Sequence, residues 1–540
     1  MTTTLPAAAT GPATAAKPPW WADAVLYQIY IRSFADADGD GVGDLRGIRS
    51  RLGHLRALGV DGIWLTPCYP SSGADGGYDV SDYCAIDPEL GSLDEFAALV
   101  ADAERAGLRV VIDLVPNHTS SDHPWFREAV AAPPGSAARA RYLFRPGRGA
   151  DGELPPNDWT SVFGGPAWTR LPDDEWYLHL YDRAQPDLNW RHPEVRAEFH
   201  RILRFWLDRG VAGFRIDCAH SLLKHPDLPD VGADAPPVPG TASFPNHPQG
   251  DRDEVHEIYR DWHRVLAAYP GDRVLVAEAW VSGLDRLARY VQPDELSQAF
   301  NFDFVSAGWD AEAFRVVIGD TLTHLGAVGA PATWVLSNHD VVRHPTRYGG
   351  GAAGLRRARA AALLMLALPG NAYLYQGEEL GLAEVTDLPE EVLRDPAWER
   401  SGHTDRGRDG CRVPMPWRTA GPSLGFGSGP GWLPQPAAWA GLSAEAQEQD
   451  PGSTLELYRT ALSLRRTEKS LGGTGPLRWL PSPGGSLAFA RDPGLVCVTT
   501  FATPGPVPVP AYGEVLLSSG PLTDPTLLPP DTTVWYRTTA

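Results

Sequence analysis

GFRID at 213–217, VLVAEAW at 274–280 and WVLSNHD at 334–340 are short runs of apolar, strand-prone residues, and each delivers a carboxylate at its end. The carboxylates are Asp217, Glu278 and Asp340. A parallel strand buried on both faces reads as just such a run. An acid where the run stops is an acid carried to the rim of a sheet. Three such rims, with Arg215, Asn338 and His339 beside them, predict one pocket lined by acids.

Outward from these runs, strand and helix signals alternate. A first strand is expected near 25–31, a helix over 48–60, a strand over 62–67, a helix over 93–108 and a strand from 109 running into a loop by 120. The rhythm resumes with a helix near 193–209 and continues through GFRID, VLVAE, QAFNFDF (298–304), TWVLSNHD and AYLYQGEE (372–379). Eight strands in βα order predict an α/β chain with a (β/α)8 barrel, whose functional residues sit at the C-terminal strand ends. The Pro-, Gly- and Trp-rich stretch 118–188 is too long for an ordinary loop and is expected to be a subdomain inserted after strand 3. After a helix near 455–471, the last seventy or so residues carry short β-rich runs between Pro and Gly, expected to form an antiparallel β-sandwich. The expected division is a disordered tail over 1–18, the barrel over 19–117 and 189–460, the inserted subdomain over 118–188 and the C-terminal domain over 461–540.

A formal net charge of −20 argues against nucleic acid, which calls for a basic footprint, and against anionic membrane surfaces. Five cysteines (Cys68, Cys84, Cys218, Cys411, Cys497) form neither a disulfide framework nor a zinc spacing. The start of the chain lacks the pattern of a signal peptide, and no long apolar run spans a membrane. The expectation is a cytoplasmic enzyme, monomeric or a small homo-oligomer, with no organic cofactor.

From about residue 19 onward the chain resembles the α-amylase family of retaining glycoside hydrolases, and within it the bacterial α-glucosidases and oligo-1,6-glucosidases. The motifs stand in the family's order: DLVPNH (113–118), QPDLN (185–189), GFRID (213–217), AEAW (277–280) and SNHD (337–340). Paired carboxyls are the apparatus of glycoside hydrolysis. The resemblance implies that Asp217 is the nucleophile, Glu278 the general acid/base and Asp340 the third acid, which binds and distorts the sugar. Arg215 lies two residues before Asp217, on the same side of a strand, where a cation is expected to keep that carboxyl ionised. Glu278 has no basic neighbour in sequence, which suits a raised pKa.

The resemblance also implies that His118 and His339 bond hydroxyls of one glucose. It places Asp75 and Tyr78 at the pocket floor with Arg408 as the cationic partner, and Phe163 and Tyr181 on the wall. DADGDGVGD (36–44) opens like an EF-hand, with acids at alternating places, but has Gly47 where the closing Glu would stand. In the resembling branch such a loop holds one structural Ca2+ or Mg2+, here through Asp36, Asp38, Asp40, the Val42 carbonyl and Asp44.

The implied function is release or transfer of the non-reducing terminal glucose of small α-glucosides such as maltose and malto-oligosaccharides, an α-1,4 linkage being expected from the slim Cys218 beside the nucleophile. The alternative is an α-glucosyltransferase or sugar isomerase, including a trehalose-type enzyme, on the same scaffold.

Overall fold

The computed structural model describes residues 18–232 and 247–538. The tail expectation falls almost wholly on residues outside that range. Eight parallel strands form the barrel: β1 Val25–Ile29, β2 Gly62–Leu65, β3 Arg109–Leu114, β4 Gly213–Ile216, β5 Val274–Ala277, β6 Gln298–Ala299, β7 Thr333–Val335 and β8 Asn371–Tyr375. Hydrogen-bonded neighbours run β7-β8-β1-β2-β3-β4-β5-β6, a nearly closed ring. Alternation along each strand divides the core in two. Leu26, Trp64, Val111, Val274, Val276, Val335 and Tyr373 fill the barrel interior. Tyr27, Ile63, Ile112, Phe214 and Leu275 belong to the larger core shared with the helices.

One strand is shorter than the sequence predicts. QAFNFDF gives only the two-residue β6, and Phe302–Ser306 is a helix. The Asn301 side chain accepts from the Phe304 backbone N at 3.1 Å and caps that helix, so a local side-chain bond ends the strand.

Between β3 and the helix Pro193–Leu207 lies the inserted subdomain. It is built on a helix, Pro124–Ala131, and a three-stranded antiparallel sheet of Phe144–Pro146, Glu175–Leu178 and Trp168–Arg170. Trp159, Trp168, Leu178 and Leu180 make a separate small core. QPDLN returns to the loop after β3 through a bridge between His118 and Asp187. Buried Lys224 ties the two together, donating to Asn117 Oδ1 at 2.6 Å and pairing with Asp187 at 2.5 Å.

The C-terminal part is a five-stranded antiparallel sheet (Arg478–Leu480, Ser486–Arg491, Leu495–Thr500, Thr532–Arg537, Glu514–Ser518) with a two-stranded ribbon. The helix Thr454–Thr467 runs unbroken across the expected boundary at 460/461. It docks on the barrel, where Arg465 donates to the Leu366 carbonyl at 2.6 Å.

Candidate active site

The ladder of β3, β4 and β5 sets the site. Asp113 and Arg215 are Cα partners on β3 and β4. The ladder continues past the strand ends, with Asp217 N donating to Leu114 O at 2.9 Å and Glu278 N to Ile216 O at 3.0 Å. The two carboxyls therefore leave adjacent strands at the same level. A carboxylate oxygen of Asp217, one of Glu278 and the Cys218 sulfur all lie within 4.8 Å of one another. That is close to the ~5 Å separation at which one carboxyl attacks a sugar and the other donates the proton.

Arg215 organises this trio from behind. Its guanidinium lies 2.8 Å from both Asp113 and Asp217 and 2.7 Å from Glu278 Oε2, under the face of Trp64 at 5.1 Å. The sequence shows Glu278 without a basic neighbour; the fold supplies one from 63 residues upstream on the next strand. The electrostatics of Asp217 are also corrected. Burial pushes its carboxyl well above the usual carboxylate range, Glu278 adds to this, and Arg215 opposes it without prevailing. Two carboxyls this close in a buried site disfavour both being charged at once. Asp113 is raised to about 6 by burial, against the pull of Arg215.

A cavity of about 670 Å³ opens over the trio. Its lining includes Asp75, Tyr78, His118, Phe163, Tyr181, Asp217, Glu278, Asp340 and Arg408, as expected, together with Cys218, Trp280, Asp395 and Arg400. Arg408 joins three acids: Asp75 at 2.6 Å, Asp340 at 3.0 Å and Asp395 at its Nε. Its guanidinium also sits 5.2 Å from the Phe163 ring centroid, and Phe163 meets Tyr181 edge-on at 6.2 Å. Burial opposes ionisation of Asp340, but His339, Arg408 and Arg412 outweigh it and hold that carboxyl well below the usual range.

Two expected substrate contacts lie one layer behind the wall. Arg215 is 1% exposed and turns its two terminal nitrogens to the carboxyls; His339, also 1% exposed, is bonded to Gln28 at 2.6 Å and faces Asp340 at 3.3 Å. His339 lies flat against Tyr78, ring centroids 5.3 Å apart, and so braces the aromatic floor. His118 does reach the cavity; burial lowers its pKa to about 4, leaving a neutral ring between the Tyr78 carbonyl and Gln185.

Asp395, Trp280 and Arg400 escape the sequence reading. Asp395 stands in an irregular stretch without periodicity. Its one local signal is Asp-Pro at the head of the helix Pro396–Arg400, which it caps by accepting from Ala397 N at 2.9 Å.

In the loop after β1, a carboxylate oxygen from each of Asp36, Asp38 and Asp40 lies within 4.8 Å of the others. Gly41, at φ 96°, makes the turn, and an added Cβ there would meet the Pro430 carbonyl at 2.7 Å. Val42 N donates to Asp40 at 2.8 Å. Asp44 lies outside this converging trio; its two oxygens accept from Ala37 N and Gly47 N, the latter as the cap of the next helix, much as both oxygens of Asp36 accept from Gly39 N and Gly41 N. Three converging carboxylates beside a single Arg46 contact at 2.8 Å fit a hard divalent cation.

Residues 28–473 match the alpha-amylase family's catalytic domain. A probable alpha-glucosidase of Rhizobium meliloti is 38% identical over 88% of this chain and 87% of its own length. An oligo-1,6-glucosidase of Parageobacillus thermoglucosidasius is 34% identical over 83% and 84%. Among solved structures, the alpha-glucosyl transfer enzyme XgtA superposes with a TM-score of 0.86 at 36% identity, over 96% of this chain and 100% of that one. The trehalulose synthase MutB of Pseudomonas mesoacidophila gives 0.88 at 30% identity over the same shares. Domain match, identity across nearly the whole chain and a shared architecture together establish that the chain belongs to the alpha-amylase family.

Proposed function

We propose that this glycoside hydrolase is a retaining α-glucosidase that removes or transfers the terminal glucose of short α-glucosides, preferring α-1,4 links. The observation that carries the reading is the pairing of Asp217 and Glu278 within 4.8 Å over a floor closed by Asp75 and Arg408. A closed floor reads a chain end, so one glucose is handled at a time. Asp217 attacks the anomeric carbon while Glu278 protonates the departing oxygen. Glu278 then takes a proton from the incoming water or sugar hydroxyl, which attacks the same carbon and frees Asp217. The Asp340–Arg408–Asp75 chain supplies fixed charges for the glucose hydroxyls. The 36–44 loop would hold one divalent cation, Ca2+ or Mg2+, through Asp36, Asp38, Asp40 and the Val42 carbonyl, with Asp44 turned to the backbone. That ion would stiffen the loop and take no part in the reaction.

Transfer to a sugar acceptor is the second reading, favoured by the likeness to XgtA; a time course with and without excess glucose separates the two. The test of the assignment is Glu278→Gln. Its kcat/KM on maltose should fall by about 10²–10⁴. It should fall far less on a 4-nitrophenyl α-glucoside, whose leaving group needs no proton. Equal losses on both substrates would reject Glu278 as the acid.

A further inference from the structure

Trp280 occupies a place the catalytic scheme has not used. It stands two residues after Glu278, and its indole N–H donates to Glu278 Oε1 at 3.0 Å. Oε2 is already taken twice, by Cys218 N at 2.9 Å and by the Arg215 guanidinium at 2.7 Å. A proton carried by Glu278 therefore belongs on Oε1, the oxygen that faces Trp280. The ring is fixed in turn. It lies flat on Phe302 with centroids 3.6 Å apart and 12° between planes, and its backbone N meets His220 Nδ1 at 3.4 Å. Trp280 also lines the cavity.

Resting on the assignment of Glu278 as acid/base, we propose that Trp280 is its positioning residue: the indole N–H aims Oε1 at the glycosidic oxygen and stabilises the carboxylate left when the proton departs. The step balances simply. The proton passes from Oε1 to the glycosidic oxygen, the bond from that oxygen to the anomeric carbon breaks, and its electron pair stays on the leaving oxygen. Negative charge appears on Glu278 as this happens, and a donor already aimed there grows stronger through the transition state. A hydrogen bond to the charged form favours that form, so deleting the indole N–H should make the carboxylate harder to form. The other charged and titratable groups facing Glu278 are Arg215 and Asp217 from β4 and its end, Cys218 and His220 from the loop that follows, Asp113 from β3, and Tyr181 from the inserted subdomain.

The test is Trp280→Phe, which keeps an aromatic ring on Phe302 and deletes only the N–H. The basic limb of kcat/KM against pH on maltose should move up by about one unit, the scale of one hydrogen bond to a charged group. At the pH optimum kcat/KM on maltose should fall about tenfold, and on a 4-nitrophenyl α-glucoside by much less. An unmoved basic limb, or equal losses on both substrates, would reduce Trp280 to a wall and overturn the proposal. If Trp280→Phe does not fold, Phe302→Leu loosens the ring while keeping its N–H. A limb shifted upward then supports the proposal, and an unmoved limb overturns it. Failure of the underlying assignment is separately visible: Glu278→Gln would then keep the wild-type basic limb.

Discussion

Cys218 holds a left-handed backbone at φ 47°, a conformation that β-branched side chains resist. Its N–H holds Glu278, and it lines the cavity beside Asp217. The slim thiol leaves room for an α-1,4-linked second sugar, so kcat/KM for maltose should exceed that for isomaltose. Cys218→Val should narrow that ratio; one added methyl-sized group in a tight pocket is worth about 1–3 kcal/mol. The same variant should also lower the melting temperature, because Val must adopt the left-handed backbone. A wild-type enzyme faster on isomaltose would refute the assignment. The three acids that line the cavity were legible at this scale because each closes an apolar run. The partners of those acids were not. Arg215 reaches Glu278 across a strand pairing, and Arg408 finds Asp75 from 333 positions away, so neither contact leaves a local trace.

At the scale of elements, the loop 36–44 carries the clearest prediction. Three acids converge with one nearby arginine, and burial together with Asp38 and Asp36 raises Asp40. A divalent ion should relieve that repulsion and stabilise the folded state by linkage. Chelation should lower the melting temperature while leaving turnover at low temperature largely unchanged. Asp40→Ala should abolish the metal-dependent shift; an unaltered melting temperature and metal content would make the loop a plain turn. The eight barrel strands were legible because each is a buried apolar run between turn signals. The sixth was overread, since FNFDF has the composition of a strand and only the capping geometry of Asn301 reveals a helix. The irregular stretch around Asp395 supplied that residue and Arg400 to the cavity yet gave no periodicity to read.

For the whole molecule, buried ionisable groups set the pH range of stability. Glu378, just past β8, accepts from Tyr375 N and from the Tyr458 hydroxyl, and burial raises it to about 8. Unfolded, it would ionise near the usual 4.3. Between those values the folded state holds a proton that the unfolded chain has lost, so stability falls as pH rises, with the loss complete above about 8. His118 acts on the other side. Burial lowers it to about 4, so as pH falls from 6.5 toward that value the unfolded chain gains a proton that the fold refuses. Glu378→Gln should therefore gain melting temperature relative to the wild type as pH goes from 5 to 8; a constant difference across that range would show that Glu378 is already ionised. In the proposed mechanism the barrel brings two acids from neighbouring strands to one glucose, and they act with retention. The most direct measurement is proton NMR of the first glucose released from maltose, read before mutarotation. The α-anomer is the predicted product, and the β-anomer would contradict the account.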